Sequence, residues 1–365
     1  MTILHDATAA ESSGNTKVSV IVIGGGYFAQ FHINAWLRLP GVELQAIVEK
    51  DTSKHADLKT LTSHSNTRIT DSLETALGSL APDILDIATP PDSHFELINQ
   101  AINLQCKLLI CQKPFCGDLK TAKNCCKIVD NTDSTVVVHE NFRFQPWYRK
   151  IKSVLDKNSL GKVLQTTFRL RPGDGQGVDA YLQRQPYFRT MEKFLIHETG
   201  IHFIDVFRYL FGEPESVSAE LQTLNTSIAG EDSGHFIFYY KNGLRAHFDG
   251  NRLLDHSSLN PRLTMGEMLI EGTEACLSLN GSGELHLRLH GQTDWQPITF
   301  HFDDTDFGGD CVYHLQKHIV DHIQTGSALE NSADVYLKNL QLEALVYKAS
   351  NTKRQLTLQD SAEYE

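Results

Sequence analysis

The stretch VSVIVIGGG (residues 18–26) limits the fold more than any other part of the chain. A β-branched run that stops on glycines reads as a buried strand entering a tight turn. The next segment, YFAQFHINAWLRL, carries Phe28, Phe31, Ala35 and Leu39 at helical spacing. The alternation then repeats. ELQAIVEKD (43–51), DILDIATPP (83–91), KLLICQKP (107–114) and STVVVHENFRF (134–144) read as strands, with helical stretches near 52–62, 92–104 and 117–130. Parallel neighbours need a crossover, so this rhythm predicts a parallel sheet with helices on both faces.

After about residue 150 the pattern changes. VLQTTFRLR (163–171), HFIFYY, LRAHF and ELHLRL alternate polar and apolar residues, separated by the turn signals KNG, EGTE and NGSG. That is an antiparallel-rich sheet with one covered face. Helices are expected at 310–325 and 333–350, the second with Leu337, Leu340, Ala344 and Tyr347 on one side. The reading is α/β, divided into a loose tail at 1–16, a nucleotide-binding domain at 17–145 and a second domain at 146–365.

Composition narrows the partners. The 365 residues are 41% hydrophobic, enough for a large core, and the net charge is -12 without a basic run. Nucleic acid and anionic membrane surfaces are poor partners for such a chain, and small molecules are favoured. The amino end lacks a charged region followed by an apolar one, and no later stretch is long enough to span a bilayer, so a cytoplasmic protein is expected. Five of the seven cysteines crowd between Cys106 and Cys126 without metal-ligand spacing. Reduced, buried thiols and no metal site are expected.

GGGYFA places Gly24 for a tight turn and Gly26 where backbone must approach a pyrophosphate, with Ala29 third in the dinucleotide fingerprint. Tyr27 and Phe28 share that turn. Glu49, ending the second strand, suits ribose hydroxyls and points to NAD, while the adjacent Lys50 could meet a 2'-phosphate and leaves NADP open. Thr89, Pro90 and His94 in ATPPDSH, and Gln112 and Lys113 in ICQKPF, follow strands at the carboxyl edge where such sheets bind ligands. In HENFR, Asn141 and Arg143 could contact nicotinamide or substrate, or Arg143 could form an interdomain ion pair. The loop 171–189 offers Asp174, Gln176, Tyr181 and Arg184 as substrate or oligomer contacts, with an ordinary mobile loop as the alternative.

These motifs resemble the Gfo/Idh/MocA oxidoreductases, named after glucose-fructose oxidoreductase and inositol dehydrogenase, from about residue 17 to the carboxyl end. The resemblance implies a Rossmann domain followed by an α/β domain whose large open, mostly antiparallel sheet covers the active site and often builds a dimer or tetramer. The family's EKP motif corresponds to QKP here, so Lys113 is implied to reach substrate and cofactor, with Gln112 replacing a glutamate. The family's Asp-x-x-x-His pair falls on Glu198 and His202 within FLIHETGIHFID. CQKP and HENFR wording is similar to the apiose dehydrogenase branch, which implies a sugar substrate.

A helix over 198–210 would set Glu198 and His202 on one face and rotate His197 away. A histidine on an apolar face is more often a bonded core residue than a catalyst. The implied lysine partner favours His202 as general base. Lys113 would then stabilise an alkoxide, Glu198 would bind a hydroxyl or polarise the imidazole, and Asp205 would orient the ring or cap backbone. His197 stays a lesser substrate candidate. The expected activity is NAD(P)-dependent hydride transfer at a hydroxyl-bearing carbon of a sugar, cyclitol or related polyol. An NAD-using glycoside-cleaving enzyme and a non-catalytic nucleotide-binding regulator are the alternatives.

Overall fold

The computed structural model describes residues 17–363 apart from Ser79 and Arg184, so the stretch 1–16 lies outside the described residues. Strands β1 (Val18–Ile23), β2 (Val42–Val48), β3 (Arg68–Thr70), β4 (Ile84–Ile87), β5 (Leu108–Gln112) and β6 (Thr135–His139) form a parallel sheet ordered β3-β2-β1-β4-β5-β6. The crossovers carry α1 (Ala29–Arg38), α2 (His55–Leu61), α3 (Leu73–Leu77), α4 (His94–Asn103) and α5 (Leu119–Val129). Every residue of β1, β4 and β5 is buried, as a sheet covered on both faces requires. The short β3 and α3 hold too few residues for a period to show in sequence.

Helix α6 (Pro146–Asp156) leads to β7 (Val163–Leu170) and the second sheet. The central helix α7 (Ile201–Phe211) precedes β8 (Ser216–Gln222), β9 (Ser233–Tyr239), β10 (Arg245–Asn251), β11 (Gly266–Gly272), β12 (Ala275–Leu279), β13 (Leu285–Leu289) and β14 (Gln296–Ile298). With β15 (Leu356–Thr357) they form a nine-stranded sheet ordered β14-β13-β12-β11-β7-β10-β9-β8-β15. Only β7 and β10 pair in parallel. Its inward residues Phe168, Phe236 and Phe248 are fully buried, and Phe203 of α7 stacks on Phe168 with ring centres 3.8 Å apart.

The chain does not divide once at residue 145. Helix α8 (Phe307–Thr325) returns to the first sheet, where Leu315, Ile319 and Val320 share a core with Val20, Ile33 and Trp36. Its regular part starts at Cys311, because Gly308, Gly309 and Asp310 are left-handed (φ 59°, 66° and 61°). Arg38 holds Asp310 through two hydrogen bonds of 2.7 and 2.6 Å. Helix α9 (Ala333–Thr352) packs on α5, α7 and β8 together, so burial extends beyond the expected stripe to Tyr336, Asn339 and Glu343. All seven cysteines are buried and free of disulfides. Among the described residues no helix is long and apolar enough to cross a membrane.

Candidate active site

The loops after β1, β2, β4, β5 and β6 meet at the carboxyl edge of the parallel sheet, and the turn after β1 is the most constrained. Gly24 has φ +112°, and a Cβ there would lie 2.5 Å from the Ala88 carbonyl oxygen, so only glycine fits. A Cβ on Gly26 would meet nothing, leaving the backbone open to a ligand. Helix α1 begins at this opening without a side-chain cap, which sets its positive dipole end beside the turn, as an anion site needs. Glu49 is 9% exposed, and its carboxylate accepts from the Gly25 N–H at 2.7 Å and the Asp51 N–H at 2.8 Å. Two backbone amides therefore hold it in place at the end of β2. These features fit a dinucleotide, with the glycine turn and the α1 terminus on its pyrophosphate and Glu49 on its ribose. Lys50 is exposed, Tyr27 lies half-exposed with its hydroxyl 3.4 Å from Arg262, and Phe28 packs edge-on against Phe307.

His94 is a correction. Its ring is fully buried, 2.8 Å from the Thr89 carbonyl and 2.9 Å from the Pro114 carbonyl, so it straps the loops after β4 and β5 together instead of facing a cofactor. Burial lowers its pKa, outweighing both carbonyls. Thr89 is tied to Ser93, and Pro90 is exposed. Gln112 is buried and accepts the Lys113 backbone N–H at 2.6 Å.

Glu198 comes from a place the sequence does not advertise. Residues Leu195–Gly200 form a π-helical turn that runs into α7, so the expected uniform helix over 198–210 is replaced by two pitches. The wider turn lets Lys113 Nζ donate to both the Glu198 carbonyl (2.7 Å) and its Oε1 (3.1 Å). Burial would raise the Glu198 carboxyl, but Lys113, Arg252 and the Thr199 hydroxyl outweigh it and hold it well below the usual carboxylate range. His202 sits one turn on, its ring stacked on Phe142 at 3.9 Å and nearly parallel. Its Nδ1 lies 2.5 Å from Glu140 Oε1. A carboxylate on Nδ1 selects the tautomer whose Nε2 carries the lone pair, the form a general base requires.

Glu140 was missed, although HENFR displays it beside Asn141 at the carboxyl edge of β6. The Asp205 expectation is overturned. Both its oxygens face Arg143 (2.7 and 2.6 Å), with Asn339 donating a third hydrogen bond at 2.8 Å. Arg143 is therefore an interdomain ion-pair residue and reaches Glu330 as well. Asn141 turns its amide to the Cys311 thiol (3.2 Å) and is 2% exposed, so its side chain does not project into the cleft.

Tyr181 belongs to a buried knot that the sequence did not signal. The fully buried Arg252 of β10's trailing loop donates to the Tyr181 hydroxyl, both Asp174 oxygens and the Thr199 hydroxyl. The loop 171–189 is thereby anchored to the π turn, and Tyr181 is a structural anchor instead of a free substrate ligand. Gln176 bonds the Leu253 carbonyl. Arg184 lies outside the described residues.

His197 turns to α9, where Nδ1 meets Glu343 at 2.6 Å, instead of contributing to a substrate pocket. Burial opposes its charge, yet Glu343 outweighs burial and raises its pKa above 6.5. A raised folded value means the pair stabilises the protein fully below the unfolded value of about 6.5 and loses that effect as pH rises through the folded value. The melting temperature of Glu343→Gln should fall furthest below wild type at acidic pH, with the gap narrowing in alkaline buffer. A gap independent of pH would refute the assignment.

The glycine turn, Glu49, a lysine held by Glu198 and a histidine held by Glu140 one helical turn further on are the parts of a nicotinamide-dependent oxidoreductase. Two family models cover most of the chain: "Oxidoreductase family, NAD-binding Rossmann fold" over residues 18–140 and "GFO/IDH/MocA C-terminal domain" over 148–278. The chain belongs to the Gfo/Idh/MocA family. It is accordingly an oxidoreductase with an NAD-binding Rossmann domain. A D-apiose dehydrogenase of Rhizobium rhizogenes is 27% identical, spanning 93% of this chain and 97% of its own. An inositol 2-dehydrogenase of Rhizobium meliloti is 30% identical over 42% of this chain and 44% of its own. The solved structure of an Agrobacterium radiobacter oxidoreductase in complex with NAD+, L-tartaric acid and magnesium superposes with a TM-score of 0.82 at 25% identity, covering 94% of this chain and 99% of that one.

Proposed function

We propose that this Gfo/Idh/MocA enzyme oxidises a hydroxyl-bearing carbon of a sugar or related polyol, with D-apiose the first candidate. The observation that carries the reading is a His202 ring held at Nδ1 by Glu140 while Glu198, four residues before it, holds the Lys113 side chain. His202 Nε2 takes the hydroxyl proton, and Lys113 stabilises the oxygen as it becomes negative. Glu198 keeps Lys113 aimed, and offers an acceptor for a neighbouring sugar hydroxyl. Bound nicotinamide supplies the two-electron acceptor. In the reducing direction His202 returns the proton.

D-apiose is named because a relative matching across nearly the whole chain carries that activity in its name. The test is the formation of reduced cofactor, followed at its absorbance band, with D-apiose and a panel of other sugars and cyclitols. Tight NAD binding without reduction by any of them would sink the reading. Net release of reduced cofactor would also separate it from redox-neutral glycoside cleavage.

For NAD over NADP, the support is the fixed carboxylate of Glu49. NAD should bind more tightly than NADP by calorimetry. Glu49→Ser should weaken NAD binding by roughly 10–100-fold, the worth of a charge-assisted hydrogen bond of about 1.5–3 kcal/mol, and narrow the preference. Tighter NADP binding by wild type would move the ribose contact to Lys50. A cytoplasmic location, supported by the unpaired cysteines, and a homodimer or homotetramer through the open face of the nine-stranded sheet belong to the same proposal.

A further inference from the structure

We propose that Asp86, His32 and Gln112 form a directional hydrogen-bonded relay that positions Lys113, and that a neutral amide stands at 112 because the relay needs a group that accepts on one side and donates on the other. The inference rests on the reading of Lys113 as the amine that meets substrate. These are positioning residues, buried behind Lys113.

Donor accounting fixes the direction of each link. The Lys113 backbone N–H donates to one Gln112 side-chain atom at 2.6 Å, so that atom is the carbonyl Oε1. The other is the amide nitrogen, which can only donate. It lies 3.4 Å from His32 Nε2, which must therefore accept. The imidazole proton is left on Nδ1, and Nδ1 lies 2.8 Å from Asp86 Oδ2. The same Asp86 oxygen takes the Trp36 indole N–H at 2.7 Å. From Asp86 to Lys113 the links are thus consistent, and every one lies inside the protein: His32 and Asp86 are fully buried, and Gln112 is 8% exposed.

The surroundings hold the ring still. His139 pairs with Gln112 across β5 and β6 and stacks on His32, ring centres 3.9 Å apart. Neither His139 nitrogen has a hydrogen-bond partner. Burial, with His32 and His202 nearby, holds its pKa well below the usual histidine range, so it is a neutral plate. Gln316 of α8 donates to the His32 backbone carbonyl at 3.2 Å. The relay thus joins β4, β5, α1 and α8 behind the lysine.

A glutamate at 112 changes the accounting. Its carboxylate could accept the Lys113 N–H, but it would also present an acceptor to the His32 Nε2 lone pair. That contact is repulsive unless the ring takes a second proton, which would place an imidazolium between two carboxylates. The glutamine is therefore matched to a singly protonated His32. The longest link, at 3.4 Å, is the one a substitution at 112 alters first.

The test is nitrogen-15 NMR of histidine-labelled, full-length protein at neutral pH, with neither substrate nor cofactor, plus amide hydrogen exchange at Lys113. In wild type His32 should show one ring proton, on Nδ1. In Gln112→Glu both of its ring nitrogens should be protonated. In Gln112→Met the Lys113 amide should lose about tenfold of its exchange protection, the worth of a neutral hydrogen bond, while in Gln112→Glu it should keep it. A wild-type His32 proton on Nε2, unchanged His32 signals in Gln112→Glu, or unchanged Lys113 protection in Gln112→Met would each overturn the relay. Since no turnover is needed, failure of the dehydrogenase reading would appear separately, as absent cofactor reduction with the wild-type tautomer in place.

Discussion

His202→Asn should lower kcat/KM for D-apiose oxidation by about 10²–10⁴-fold, the usual contribution of a positioned general base, while NAD affinity is retained. The residue is legible as a base through its partners. Glu140 engages Nδ1, Phe142 supports the ring face, and the remaining nitrogen carries the lone pair. The cofactor elements stand on β1 and β2, away from α7, so calorimetric NAD binding should barely move. Glu140→Gln nearly keeps the shape but removes the carboxylate that selects the tautomer, and it should reduce turnover in the same direction with a smaller loss. The measurement is steady-state cofactor reduction, with melting temperature as the control for folding. Full turnover by a folded His202→Asn protein would return the histidine to the role of a core residue.

Arg143→Met should destabilise the protein by about 3–5 kcal/mol, the range for leaving one member of a buried ion pair unpaired. Arg143 is 7% exposed and Asp205 fully buried, and two hydrogen bonds join them. Removing the guanidinium leaves a carboxylate inside the protein with only the Asn339 amide beside it. The double variant Arg143→Met/Asp205→Leu should recover part of the loss, because a buried pair replaced by apolar groups is often tolerated. Recovery should be incomplete, since Asn339 then loses its acceptor. Denaturant midpoints report all three proteins. A loss near zero in the single variant would show that the pair does not tie α7 to the loop after β6.

The structure also shows why some assignments could be made from sequence and others not. Gly24, Gly26 and Glu49 are local features: a turn and a strand end each declare their geometry within a few residues. Lys113 follows from the strand before it. Glu198 does meet Lys113, but not from the helix that was to align it with His202, because a π turn replaces that part of the helix. Asp205 lies at helical spacing from His202 and still faces elsewhere, because Arg143 and Asn339 offer it two hydrogen bonds and a third. Arg252 had no sequence signal at all, being one more arginine after an amphipathic strand.

Periodicity and turn chemistry are written in neighbouring residues, so the amino-acid sequence by itself determined the parallel sheet, the change to an antiparallel one, the glycine turn and the carboxyl-edge loops. Pairing is different. Glu140 meets His202 across 62 residues, Lys113 meets Glu198 across 85, and Gln112 meets His32 across 80. No local pattern specifies which of several nearby acids a buried base will find. Only tertiary packing decided those partners, because a charge withdrawn from water must take whatever complementary group the fold brings within hydrogen-bond reach.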